Sequence, residues 1–325
     1  MAGTMSDSPL PRCAVLGNGT MGAQIALSLA LGGATVVLWG RRPESLAPSM
    51  ARIDEAYEFL VQAGLASPKH KSSVLARVTT TSDLVAAVRD AAFAIEAVAE
   101  DIEIKQAVLK SAEDAAEPAT ILSSTTSALS ASDIQSALRR PENFCVAHYA
   151  QPAHLVRLVE IVPGARTDES TTKATTQLMA ETDKTPVLCP DIPGFLWARI
   201  QHAVLREFAT LVGKGLVTPE ACDTILKQGY ATRLPAMGAF EHADLAGLDL
   251  INGEAAKAVW ADLSNVTDPA ETPVGTLHAR GDTGMRSGKG FYDWTTERDP
   301  DEFKRRRDEE IVRRVKIQKG AKVEL

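Results

Sequence analysis

The chain has 325 residues, 45% of them apolar and 24% charged, enough for about two domains and too evenly mixed to be disordered, fibrous or low-complexity. Lys and Arg number 35 against 42 Asp and Glu, and the resulting net charge of −7 argues against nucleic acid as a partner. The longest apolar stretch, residues 23–39, is broken by Gln24, Gly32 and Gly33 and falls short of the ~20 residues of a membrane helix, so no membrane association is expected. Residues 1–11 form a polar tail with no cationic segment leading into an apolar run, and no secretory leader is read there. Cys13, Cys145, Cys189 and Cys222 lie far apart without a CxxC pair, as small core residues of a reducing, cytoplasmic compartment would, and no metal site is expected.

In chain order, a short apolar run at 12–16 ends in Gly17, helical spacing follows from Met21 to Ala30, and a second strand-like run occupies 34–39. That is the span one right-handed βαβ unit needs. From Pro43 to Thr81 the pattern is helical and polar, with Ile53, Tyr57, Leu60 and Val61 on one apolar face and a charged turn at 67–73, which predicts a helical hairpin inserted after the second strand. Residues 91–98 and 120–124 read as further parallel strands on either side of an amphipathic helix at 102–115, and the βαβ rhythm continues to about Cys189. At Pro190 the texture turns helical, with Ile200, Val204, Leu205, Phe208, Leu211 and Val212 in step, and the charged run 297–319 reads as a solvated terminal helix. The expectation is an α/β fold: a Rossmann-type doubly wound parallel sheet over residues 12–190 with a helical hairpin insertion, followed by an all-α C-terminal domain, 191–325, serving dimerisation and substrate binding.

Residues 17–22 read GNGTMG, a G-x-G-x-x-G placed between a strand and a helix, where the glycines allow a tight turn, close backbone approach to a pyrophosphate and close helix packing. Gly17, Asn18, Gly19, Thr20, Met21 and Gly22 are the candidate cofactor contacts. An NAD site places an acidic residue at the end of the second strand to hold the ribose 2′-hydroxyl. Here that position is Gly40, followed by Arg41 and Arg42, whose planar donors suit a 2′-phosphate, so NADP(H) is favoured over NAD(H). The alternative is a pair of solvated arginines opening a loop.

His148 lies in the apolar run that starts at Phe144, and Glu160 lies inside a second such run at 158–162. A carboxylate in that setting needs a partner. If the two strands are neighbours, Glu160 can hold His148 as a general base, or the two can form a structural ion pair. At this point the sequence resembles the 3-hydroxyacyl-CoA dehydrogenase family over nearly its whole length, through GNGTMG, EAVAEDIEIK, SSTTSAL, HYAQP, LVEIV, DIPGF and RSGKGFY in the same order. The resemblance implies that His148, Glu160 and Ser127 are catalytic and that Glu100, Lys105 and Arg286 contact the cofactor. It also implies a homodimer formed through the helical domain and a hydride transfer between a hydroxy compound and its oxo form.

Three positions depart from the family pattern. Ala198 stands where the family places an asparagine after DIPGF, Gln151 replaces the asparagine of the histidine loop, and Thr125 that of the serine loop. Gln151, Thr125 and Trp197 are therefore candidate substrate contacts, with Phe195 and Tyr230 as further pocket or core residues, and Gln151 is the candidate donor compensating for Ala198. For a coenzyme A handle only Lys69, His70 and Lys71 are available in the hairpin. The serine loop resembles that of family branches acting on free acids, such as L-gulonate, carnitine and pyridine-degradation dehydrogenases, so a small hydroxy or oxo acid is expected as substrate. A 3-hydroxyacyl-CoA thioester is the alternative, and a non-catalytic, crystallin-like dinucleotide-binding protein the second alternative.

Overall fold

The computed structural model describes residues 10–320, so most of the tail at 1–11 lies outside the described residues. The apolar runs CAVL and VVLW become β1 (Cys13–Leu16) and β2 (Val36–Trp39), separated by α1 (Thr20–Gly32). After α2 (Leu46–Gln62) and the short α3 (Lys71–Leu75), the chain forms β3 (Val78–Thr81). The helical reading of 43–81 is thus correct only up to residue 75, because the β-branched run VTTT favours an extended strand, which pairs in parallel with β2.

Next come α4 (Leu84–Val88), β4 (Phe93–Glu96), α5 (Ile102–Ala115), β5 (Ile121–Ser124), α6 (Ala131–Gln135) and β6 (Phe144–Tyr149). Asp83 and Asp101 cap α4 and α5 by accepting from the second and third amides of each helix. The sheet continues through β7 (Leu158–Pro163), α7 (Glu169–Glu181) and β8 (Thr185–Leu188), giving eight strands in the order β3-β2-β1-β4-β5-β6-β7-β8. The first six positions have the order of a doubly wound dinucleotide fold. The βαβ rhythm is interrupted once, since β7 runs antiparallel to β6, and it resumes through α7 to β8, which pairs in parallel with β7. Residues 150–157 between them are too few for a crossover, and only an antiparallel neighbour can be reached.

Side-chain alternation divides the sheet's apolar residues between two buried clusters. Cys13, Val15, Val36, Leu38, Phe93 and Ile95 meet α1, α2 and α7 on one face. Ala14, Leu16, Ala94, Leu122, Phe144 and Val146 meet α4, α5 and α6 on the other. Both faces being covered explains why the strands are continuously apolar rather than alternating.

The chain divides into two compact units, one holding the described residues to Arg199 together with those from Arg306, the other Ile200–Arg305. The second unit contains most of α8 (Trp197–Gly213), then α9 (Pro219–Thr224), α10 (Ala231–Arg233), α11 (Ala239–Ala246), α12 (Leu248–Ile251), α13 (Glu254–Asp262) and α14 (Pro273–Ala279). The terminal helix α15 (Pro300–Gln318) differs from the solvated helix expected, because Val312 and Val315 are buried and Val312 joins the core beside α1 and α2. Most of this helix therefore belongs to the first unit rather than to the helical domain. Among the described residues no helix is long and apolar enough to cross a membrane.

Candidate active site

Most candidate residues of the first unit collect at the edge of the sheet where the parallel strands β1, β4, β5 and β6 end, the edge where open α/β sheets place their ligand crevices. After β1, Gly17 takes φ 125° and packs so closely on Ala97 that a Cβ would lie 2.5 Å from its carbonyl oxygen. Gly22 is equally constrained, by the Gly17 carbonyl. At Gly19 the opposite holds: a Cβ there would meet nothing within 4 Å. Gly19 is also the N-cap of α1 and supplies no side-chain cap, so the first turn of this thirteen-residue helix has no capping side chain. These features fit a dinucleotide pyrophosphate, with Gly19, Thr20 and Met21 available to it. Asn18 behaves differently, because its side chain turns toward α2 and donates to Ser45 and Ser49. Arg41 and Arg42 are exposed, and Arg42 lies 3.8 Å from Glu44.

At the ends of β4 and β5 a buried polar cluster forms around Lys105. Its ammonium lies 3.0 Å from Glu96 and 3.1 Å from Glu100, so both carboxylates share one cation. Ser124 Oγ donates to Glu96, while Thr126 Oγ1 and the amide of Ser127 donate to Glu100. Burial pushes the Glu100 carboxyl up, but the Thr126 hydroxyl and the Lys105 charge outweigh it and hold it below the usual carboxylate range. Lys105 is enclosed in this cluster, whereas the Glu100 side chain is 43% exposed. Glu96 was not singled out in the sequence; its signal is a carboxylate ending the apolar run FAIE with a lysine nine residues on.

His148 and Glu160 are direct cross-strand partners in the antiparallel register of β6 and β7. Nδ1 of the imidazole lies 2.8 Å from Oε2, and both side chains are buried. Glu160 Oε1 accepts the amides of Leu196 and Trp197, each at 2.9 Å, and the Cys189 thiol at 3.4 Å. Successive left-handed residues, Gly194 at φ 75° and Phe195 at φ 47°, turn the chain so that both amides converge on that one oxygen. Burial raises the Glu160 carboxyl, but the bonds from His148, Trp197 and Leu196 prevail and keep it below its ordinary range. Cys189, read as a small core residue, is buried and also touches this carboxylate; burial and the neighbouring charge push its thiol up to about 12. The Phe195 ring lies 5.9 Å from that of His148.

Thr125 is tied into the same region by accepting the amide of Tyr149 on Oγ1. Ser127 is exposed, and its hydroxyl has no partner among the described residues. Gln151 is exposed in the loop 150–157, which is held from below by Lys184, whose ammonium donates to Ala153 O and Val156 O, and from α1 by Gln24, which accepts the Ala153 amide. Trp197 contributes its backbone amide to Glu160 while the residue is 37% exposed, and Ala198 follows it in the first turn of α8. Arg286 and Tyr230 belong to the second unit, where Arg286 is exposed and Tyr230 lines a shallow notch with Arg233, Leu234 and Met237. Lys71 is not the free cation expected of a coenzyme A handle, since Asp54 and Glu58 both bind it. Among the described residues no group of three or more His, Cys, Asp and Glu could hold a metal ion.

The family model for the 3-hydroxyacyl-CoA dehydrogenase NAD-binding domain matches residues 12–192, and that for the C-terminal domain matches 194–294. The chain is 31% identical over 285 residues to 5-formyl-3-hydroxy-2-methylpyridine 4-carboxylate 5-dehydrogenase of Mesorhizobium japonicum, covering 87% of this chain and 91% of that protein. It is 30% identical over 290 residues to the mitochondrial hydroxyacyl-coenzyme A dehydrogenase of Sus scrofa, covering 86% and 89%. A crystal structure of 5-formyl-3-hydroxy-2-methylpyridine 4-carboxylic acid 5-dehydrogenase, described as an NAD+-dependent dismutase, matches with a TM-score of 0.88 at 29% identity over 96% of this chain and 100% of that one. By both of its domains the chain belongs to the 3-hydroxyacyl-CoA dehydrogenase family, and it is a nicotinamide-dependent dehydrogenase acting on hydroxyl groups.

Proposed function

We propose that this dehydrogenase interconverts a small hydroxy acid and its oxo form, with His148 and Glu160 as the proton-handling pair. The observation that carries the reading is the 2.8 Å bond from His148 Nδ1 to Oε2 of a carboxylate whose other oxygen is held by two backbone amides and the Cys189 thiol, which leaves Nε2 without a partner among the described residues. With Glu160 ionised, Nδ1 keeps its hydrogen and Nε2 presents a lone pair. In oxidation Nε2 takes the substrate hydroxyl proton and Glu160 stabilises the imidazolium; in reduction Nε2 returns the proton to the new alkoxide. Ser127, with its free hydroxyl, and Thr125 and Gln151 beside the histidine strand are the polar contacts for the substrate oxygen. The nicotinamide, when bound, supplies the hydride acceptor or donor.

A free acid is preferred to an acyl-CoA because Lys71 is already neutralised by Asp54 and Glu58, leaving Lys69 and His70 for a polyanionic handle. A relative at 31% identity carries the name of a pyridine-carboxylate dehydrogenase, consistent with an acid substrate. Gly40 with exposed Arg41 and Arg42 supports NADP(H) as the preferred form, although the related crystal structure is of an NAD+-dependent enzyme. The second unit supports a homodimer, since Phe240 is 89% and Trp260 72% exposed, and Leu245, Leu248 and Leu250 are exposed with them. Four buried, unpaired cysteines suit a cytoplasmic setting.

The test is turnover with NADPH and NADH against matched panels of small oxo acids and 3-oxoacyl-CoA thioesters. Faster turnover of a free acid is expected; activity confined to thioesters would reverse the substrate reading, and no turnover with either panel would favour a binding protein.

A further inference from the structure

Gly40 is buried where the chain leaves β2, and its missing side chain has a specific neighbour. A Cβ at this position would lie 2.4 Å from Asn18 Cγ and Nδ2 and 2.7 Å from Oδ1. A contact of that kind is easily relieved when the obstructing group is a free side-chain end. Here it is fixed. Asn18 Nδ2 is shared among Ser45 O at 3.0 Å, Ser45 Oγ at 2.8 Å and Ser49 Oγ at 2.8 Å. The backbone carbonyl of Asn18 accepts from Ser49 Oγ at 3.0 Å and from Arg52 Nη2 at 2.7 Å. The network also reaches the arginine segment, because Ser45 Oγ donates to Arg42 O at 2.6 Å. Displacing the amide would leave half-buried donors and acceptors unpaired.

We propose that Asn18 and Gly40 act as one cofactor-specificity element: the Asn18 amide fills the volume next to β2 that a side chain at position 40 would need, and it braces the segment carrying Arg41 and Arg42. The glycine loop and the end of β2 are then coupled, and a ribose-binding carboxylate cannot be introduced at position 40 without first removing the amide. The ligand class is a nicotinamide dinucleotide with a phosphate on its adenosine ribose. This identity rests on the NADP(H) reading above, whereas the coupling between the two positions stands apart from it.

The experiment is a double-mutant cycle read by equilibrium binding of NADPH and NADH to the whole protein, followed by cofactor fluorescence or calorimetry. Gly40→Ala, which adds only the Cβ, should weaken NADPH about tenfold, and the same change in an Asn18→Ala background should cost almost nothing further, a coupling of about tenfold. Gly40→Asp alone should not improve NADH binding, while Asn18→Ala/Gly40→Asp should bind NADH about tenfold tighter than Gly40→Asp does. Independent, multiplying effects of Asn18→Ala and Gly40→Ala would overturn the proposal, as would a Gly40→Asp protein that switches to NADH as fully as the double variant. If Gly40→Asp does not fold, the alanine cycle decides alone. Tighter NADH than NADPH binding by the unaltered protein would refute the cofactor preference and leave the coupling to be judged by the same cycle.

Discussion

The two units of this chain solve opposite problems. The first buries two extensive apolar clusters around its sheet and places its charges in closed groups, Glu96 with Lys105 and Glu100, and His148 with Glu160. The second, Ile200–Arg305, buries only Ala209, Cys222 and Thr272, while large apolar side chains along α11 to α13 are exposed. A sheet closed on both faces can be stable by itself, whereas short helices with bare apolar faces need a further surface to cover them. The proposed chemistry therefore falls in the unit whose apolar faces are covered, and the proposed association in the one whose apolar faces are exposed.

The sharpest test of that contrast is His148→Ala. Loss of a general base typically costs 10²–10⁴ in rate, so turnover should fall by about that factor, while cofactor affinity measured by fluorescence titration stays close to that of the parent because the glycine loop is untouched. Appreciable turnover in this variant would remove the proposed mechanism. Next in size is the paired change Phe240→Asp/Trp260→Asp, which places charges on the exposed apolar face. Sedimentation should show the proposed dimer weakened by at least about thirtyfold, as burial of a central aromatic contact is commonly worth ~2 kcal/mol or more. A variant that dimerises as tightly as the parent would show that association uses another surface.

A smaller effect is expected from Gln151→Ala. If Gln151 replaces the donor missing at Ala198, kcat should drop about ten- to a hundredfold with cofactor binding unchanged, the signature of a contact made mainly in the transition state. The smallest concerns Lys184, beneath the histidine loop, whose pKa is lowered to about 8 by burial, offset in part by Asp183 and reinforced by Lys319 and Arg157. Between about 8 and the ordinary 10.5 the unfolded chain binds more protons than the native one at this residue, so its contribution makes stability rise with pH across that window. Comparing Tm at several pH values, Lys184→Met should lose that upward component, and identical profiles for the two proteins would show that Lys184 does not titrate differently on folding.

How much of this was legible in the sequence depends on the distance over which each feature is determined. The glycine loop, β1, α1 and β2 are local, and their residues could be read in order. Val78–Thr81 is hard to read because four residues carry little periodicity, although three threonines after a valine already favour a strand. The side-by-side placement of His148 and Glu160 follows from the sequence only as a condition, whereas the short 150–157 connection already requires the antiparallel direction of β7. The role of Glu96 is not legible locally, because only folding brings Lys105 and Ser124 to its carboxylate. Likewise Asp54 and Glu58 neutralise Lys71 across two helices, and nothing near residue 71 in the sequence announces them.

The two amides that fix Glu160, those of Leu196 and Trp197, both precede Arg199, where the first unit gives way to the second. Asp191 secures the approach to them by accepting from Ser130 Oγ and from the amides of Ala131 and Ser132. Evolution by recombination could thus cut within α8 after Arg199 and graft a relative's helices there, provided the helical register is kept, without disturbing a single donor to the histidine's carboxylate. Such chimeras would exchange the exposed apolar faces of the second unit while keeping His148 and Glu160 bonded as they are here.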